Sequence, residues 1–130
     1  MRQILQSSAI PEPRFHYSPC VAIGSTYQVS GMIALDPVTG RLVEGGPGAE
    51  TRRILDNLNR ALADYGLTLD DLLIARLYTT RFDAFAEINV AWETFFPQGQ
   101  VPPARTSVGV SALPLGASVE IEFSFVKSSQ

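Results

Sequence analysis

Arg105 and Glu120 are the two side chains whose types and setting suggest joint chemistry. A guanidinium presents a planar fork of donors that matches a carboxylate, and a glutamate can orient or deprotonate a water. Together they are the parts of a site for a small acid. Both lie in the stretch VPPARTSVGVSALPLGASVEIEFSFV, residues 101–126. It reads as two alternating strands, about 104–113 and 117–126, joined by a tight connection at Leu113-Pro114-Leu115-Gly116. In the first strand Thr106, Val108, Val110 and Ala112 share one side, and Arg105, Ser107, Gly109 and Ser111 the other. In the second, Val119, Ile121, Phe123 and Phe125 form the apolar side, with Ser118, Glu120, Glu122 and Ser124 opposite. Taking the apolar side of each strand as the core side places Arg105 and Glu120 on one shared outward face. Ser107 and Gly109 are small enough to leave room for a ligand there, and Pro102-Pro103 stiffen the approach to Arg105. The bland alternative is a solvated sheet face that happens to bear charges.

Composition narrows the chemistry. The 130 residues suit one domain, with 1–13 as an extended lead-in ending in Pro11-Glu12-Pro13. A hydrophobic fraction of 45% and a charged fraction of 18% are those of a globular chain. The net charge is −3 and the basic residues are scattered, which argues against a nucleic-acid surface. Cys20 is the only cysteine, so no intrachain disulfide can form, and a reducing compartment follows. No apolar signal region or membrane-length run is present, and the expected setting is cytoplasmic. One His and one Cys make no metal-ligand spacing, and no GxGxxG or P-loop spacing occurs, so neither a metal nor a nucleotide cofactor is implied. Nucleophilic catalysis would depend on His16, which reads as a surface or hydrogen-bonded residue, and Cys20 reads as a small packed one.

The remaining pattern supplies the scaffold. Two strands flank Gly24-Ser25 as a two-residue hairpin, and Asp36-Pro37-Val38-Thr39-Gly40 is a turn. A first helix is expected over about 49–65, with Ile54, Leu55, Leu58, Ala61 and Leu62 on one face and Gly66 as its cap. A strand over 72–82 follows, then a second helix capped by Asp83 and ended by Pro97. Its stripe of Phe85, Ile88, Trp92, Phe95 and Phe96 reads as core. The fold class is α+β, a two-layer sandwich with both helices on one face of a mixed, mainly antiparallel sheet. The second sheet face is then wet, or covered by another copy of the chain.

The segment PPARTSVGVSALPLGASVEIE resembles the C-terminal signature of the YjgF/RidA reactive intermediate deaminases, PAR-x-x-V-x-V-x-x-LP…VEIE. SGMIALDPVTGRL, ILDNLNRALADYG and DAFAEINVAWETFFP extend the resemblance over roughly 17–126. It implies a chorismate-mutase-like fold and a homotrimer with clefts between subunits. It also implies that the strand around Leu77 lies between the last two strands. The activity implied is cofactor-independent hydrolysis of enamines and imines, such as 2-aminoacrylate and 2-iminopropanoate, to a 2-oxo acid and ammonia.

By the same resemblance Arg105 holds the substrate carboxylate and Glu120 positions water. Tyr17 lines the cleft, Ser30-Gly31 match the SG of an SGQ-like strand end, and Asn89 matches an asparagine of the second helix. Ser107 stands where many relatives have Cys, Pro19-Cys20 replace a Gln, and Met32 replaces the Gln of SGQ. These departures bear on the substrate more than on the fold. Rival readings are a non-enzymatic or chaperone-like trimer that binds small carboxylates, and a specialised catabolic deaminase acting on a larger unsaturated amine. An RNase-like activity is ascribed to some relatives, and the acidic composition disfavours it here.

Overall fold

The computed structural model describes residues 1–128. Six strands form one sheet: β1 (Gln3–Leu5), β2 (Cys20–Ile23), β3 (Thr26–Met32), β4 (Leu72–Thr79), β5 (Ala104–Gly109) and β6 (Val119–Val126), in the order β1-β2-β3-β6-β4-β5. All neighbours run antiparallel except β4 and β5, which are parallel. The strand containing Leu77 therefore separates β5 from β6, as the family resemblance implies. The tight connection between adjacent strands suggested by local pattern is not formed. Instead the chain leaves β5 at Gly109, passes through a short 3-10 turn at Pro114–Gly116 and crosses the end of β4. Alternation fixes a strand's faces but not its partner, and two antiparallel-looking runs can each pair with a third.

Local chemistry explains the elements. Ile23 pairs with Thr26 around Gly24, whose φ of 58° belongs to the hairpin turn. α1 (Gly46–Tyr65) begins with Pro47, whose missing N–H is no loss in a first turn. It ends at Gly66 with φ 71°, where Leu67 N–H donates to the Leu62 carbonyl at 2.9 Å. α2 (Phe85–Phe95) differs from expectation at its start. A 3-10 turn, Phe82–Ala84, intervenes, and Asp83 does not cap the helix. Its carboxylate instead takes the fork of Arg81, with Nε at 3.0 Å, because a bidentate ion pair outcompetes a single backbone donor. The lead-in is also partly structured. Gln3–Leu5 add an edge strand to β2, and Ser7 donates to Asp64 at 2.6 Å.

Both helices cover one sheet face. Ile54, Leu55 and Leu58 of α1 and Ile88 of α2 are fully buried with Leu77, Val119, Ile121, Phe123 and Phe125. The opposite face bears Arg76, Tyr78, Glu120, Glu122 and Ser124, and no helix among the described residues lies over it. Gln28, Ser124 and Arg76 are linked there by hydrogen bonds, with Ser124 donating to Gln28 at 2.5 Å. Among the described residues no helix is long and apolar enough to cross a membrane.

Candidate active site

Arg105 lies under α2. β5 pairs with β4 so that Arg105 is beside Ala75 and Ser107 beside Leu77, both core-facing residues. The guanidinium stands 4.9 Å from the Trp92 ring centre and 5.4 Å from that of Phe85. Such cation–aromatic contacts contribute about 0.5–2 kcal/mol each. Arg105 Nη2 donates to Asn89 Oδ1 at 2.8 Å. Arg105 Nη1 and Ser107 Oγ are both buried with no partner among the described residues. Among the described residues no carboxylate pairs with Arg105. Burial pulls its pKa below the ordinary value, against a smaller upward pull from Glu93, yet an arginine keeps its charge in proteins. A half-buried cation with an unanswered donor is a standing demand for an anion.

Glu120 lies on the other face of the sheet. It pairs with Tyr78 of β4 and lines a cavity of about 850 Å³ with Tyr17, Ser30, Gly31 and the 10–15 segment. The expectation of one shared face for Arg105 and Glu120 is therefore corrected. The apolar side of β5, Thr106 and Val108, is its outward side, and Val108 is 40% exposed. β5 is an edge strand whose polar side slides beneath α2. Hydropathy assigned its core side wrongly because the helix that covers it also brings polar and aromatic groups.

Burial raises the pKa of Glu120, and the neighbouring Glu122 raises it further. Its carboxylate accepts no hydrogen bond from the described residues, whereas Glu122 accepts the Tyr78 hydroxyl at 2.5 Å. The two acids are thus distinguished: Glu122 is tied to the sheet and Glu120 is free to meet a ligand. A Cβ on Gly31 would strike the Glu120 carboxylate, so glycine there is a matter of room. Ser30 donates to the Ser18 carbonyl at 2.7 Å, and its N–H donates to Pro19 O at 2.9 Å. These bonds anchor the loop that presents Tyr17, which is 53% exposed.

The expected residues thus form two clusters. Arg105, Ser107 and Asn89 meet under α2, while Tyr17, Ser30, Gly31 and Glu120 meet on the uncovered face. The family model described as endoribonuclease L-PSP matches residues 7–126. The chain belongs to the YjgF/RidA family. A RutC family protein of Aquifex aeolicus is 38% identical over 98% of this chain and 100% of its own. The 2-iminobutanoate/2-iminopropanoate deaminase of Rattus norvegicus is 34% identical over 94% of this chain and 88% of its own. The structure of E. coli TdcF with bound serine matches at TM-score 0.90 and 28% identity, covering 97% of this chain and 99% of that one.

Three residues beyond the expected set shape these family clusters. Phe85 and Trp92 were legible as a helical stripe, but the same rings that pack the core also flank Arg105. Glu50 of α1 is 5% exposed and accepts from Ser118 N–H at 2.9 Å and Ser118 Oγ at 2.6 Å. It pins the start of β6 two residues before Glu120, and its place inside α1 gave no sequence signal. Cys20 is buried and its thiol is pushed up to about 11, so it is a packed residue rather than a nucleophile. His16 is exposed, as expected.

Proposed function

We propose that this protein hydrolyses small 2-imino acids, and the enamines that tautomerise to them, to 2-oxo acids and ammonia. The observation that carries the reading is the Arg105 guanidinium, half-buried between aromatic rings with a donor and the Ser107 hydroxyl both unanswered. A carboxylate satisfies both. Its two oxygens take the guanidinium fork and the Ser107 hydroxyl, which fixes the orientation of the attached C=N carbon. The deaminase name of the rat relative and the serine bound to TdcF point to the same ligand chemistry.

In this reading Glu120 handles the proton traffic. Its raised pKa suits a group that takes a proton from the attacking water and returns it to the departing nitrogen. Water oxygen bonds to the C=N carbon, the C–N bond breaks, and nitrogen leaves as ammonia. Because Arg105 and Glu120 lie on opposite sheet faces, one chain does not complete the site. The cleft is formed between chains, with Arg105 from one and Glu120 from the next, in a homotrimer. The uncovered face and its exposed Val108, Leu115 and Phe15 support such an assembly. A cytoplasmic setting fits the free cysteine. The acidic composition weighs against RNA as the substrate.

The test is ammonia release from 2-aminoacrylate generated by a dehydratase, with and without the protein. Acceleration is expected. Tight binding of pyruvate without acceleration would favour a carboxylate-binding module instead.

A further inference from the structure

The connection that leads into β6 holds a residue in an unfavourable backbone conformation. Ala117 N–H donates to the Pro114 carbonyl at 3.0 Å and closes a tight turn. Within it Leu115 has φ 57° and ψ 23°, and Gly116 has φ 72°. Positive φ at both central positions makes this the mirror-image turn that Asn-Gly forms most readily. Leucine is a poor occupant, because in the left-handed region its Cβ crowds the following carbonyl. Leu115 is the one non-glycine with positive φ among the described residues.

Packing does not account for the choice, since Leu115 is 54% exposed. Residues strained in this way cluster at ligand sites. Leu115 lines the cavity of about 850 Å³ that also holds Glu120. Tyr17 and Phe15, 53% and 81% exposed, line it too. Three exposed apolar groups thus surround one carboxylate. Glu12 and Arg14 line the same cavity with opposite charges, two residues apart. A neighbouring chain that filled the cavity would seal Glu120 from water and substrate. In the deaminase reading the space between Leu115 and Glu120 therefore belongs to the substrate.

We propose that Leu115 is a specificity-determining residue and selects 2-imino acids whose side chain is apolar and larger than a methyl group. The inference rests on the deaminase reading and adds a substrate class to it. The carboxylate meets Arg105 of one chain, the C=N carbon lies by Glu120 of the next, and the side chain packs on Leu115, Tyr17 and Phe15. The covalent step is the same hydrolysis, with water oxygen bonding to the carbon and nitrogen leaving as ammonia. An apolar side chain carries no β-hydroxyl to eliminate. An oxidation or dehydrogenation of the amino acid must then supply the imine.

An amino-acid oxidase releasing imines from alanine, leucine and asparagine tests this. Asparagine has nearly the shape of leucine but is polar. Semicarbazide traps each imine, and the fall in semicarbazone reads kcat/KM. Leucine's imine should exceed both others by roughly tenfold, the effect of partly burying an isopropyl group. Equal rates for leucine and asparagine in the parent protein overturn the proposal. Leu115→Asn suits the turn, so its denaturant midpoint should rise at constant slope, while the leucine preference collapses to about onefold. Leu115→Met keeps an apolar side chain and should keep the preference. A preference that survives in Leu115→Asn, or a midpoint that does not rise, overturns the proposal. So does dissociation of the Leu115→Asn assembly in light scattering, which would assign Leu115 to the contact between chains. If no imine is hydrolysed, the deaminase reading falls first. Calorimetry with 2-oxo acids then decides Leu115 alone. Tighter binding of 4-methyl-2-oxopentanoate than of pyruvate, lost in Leu115→Asn, keeps the proposal, and any other pattern sinks it.

Discussion

Beneath α2 a cation is packed between rings and an amide, whereas on the uncovered face an acid has almost nothing holding it. Arg105 has two aromatic rings, the Asn89 amide and Ser107 around it. Glu120 has a cavity and the bare backbone of Gly31. The contrast matches the two tasks proposed for them. A group that fixes a substrate benefits from rigidity, because orientation is most of what it supplies. A group that moves protons needs an unbonded oxygen and a pKa lifted toward working pH, which partial burial beside Glu122 provides. The sheet keeps the two environments on opposite faces of this chain.

The largest effect expected concerns the acid. Glu120→Gln should lower turnover on the order of a hundredfold or more, since glutamine accepts no proton. Pyruvate binding through Arg105, read by calorimetry, should persist. This variant also tests the division between chains. Mixed and reassembled at equal amounts with inactive Arg105→Ala, it should recover about a quarter of parental activity, the share of clefts that receive both native residues in a random trimer. No recovery would mean that one chain supplies both groups.

Arg105→Lys comes next, with roughly a tenfold or greater loss on the imine, because lysine keeps charge and stem but not the fork. Equal activity would assign the carboxylate grip elsewhere. Gly31→Ala should cost a comparable factor by displacing the Glu120 carboxylate, with pyruvate affinity retained; an unchanged rate would show that Glu120 can move without consequence. Glu50→Ala strips Ser118 and Val119 of their buried acceptor and should lower stability by about 1–3 kcal/mol, read as a lower denaturant midpoint at constant slope.

The smallest effect is at Glu122. Glu122→Gln should change turnover by less than about threefold, as it takes no proton in the reaction. It should still move the pH profile. Glu120 must be ionised to accept a proton, so activity falls as pH drops through its raised pKa. Removing the like charge of Glu122 lowers that pKa, and the acid limb should shift to lower pH. A shift upward, or equal damage from the two glutamine variants, would dissolve the distinction between the acids.

Much of this was written in the chain. Period and punctuation determined both helices, the Gly24 hairpin and the Gly66 cap, because those depend on neighbours within a few residues. Residue type singled out Arg105 and Glu120, and the signature around them identified the family. The side of the sheet on which each lies was decided only in three dimensions. Alternation says that Arg105 and Ser107 share a face, but the parallel pairing with β4 and the reach of α2 over the sheet edge determine which face that is. The pairing of Glu122 with Tyr78, 44 residues away, and of Glu50 with Ser118, 68 away, leaves no local trace either. Contacts between distant segments arise from packing the whole chain, so the freedom of Glu120 and the constraint on Arg105 are properties of the fold rather than of either stretch of sequence.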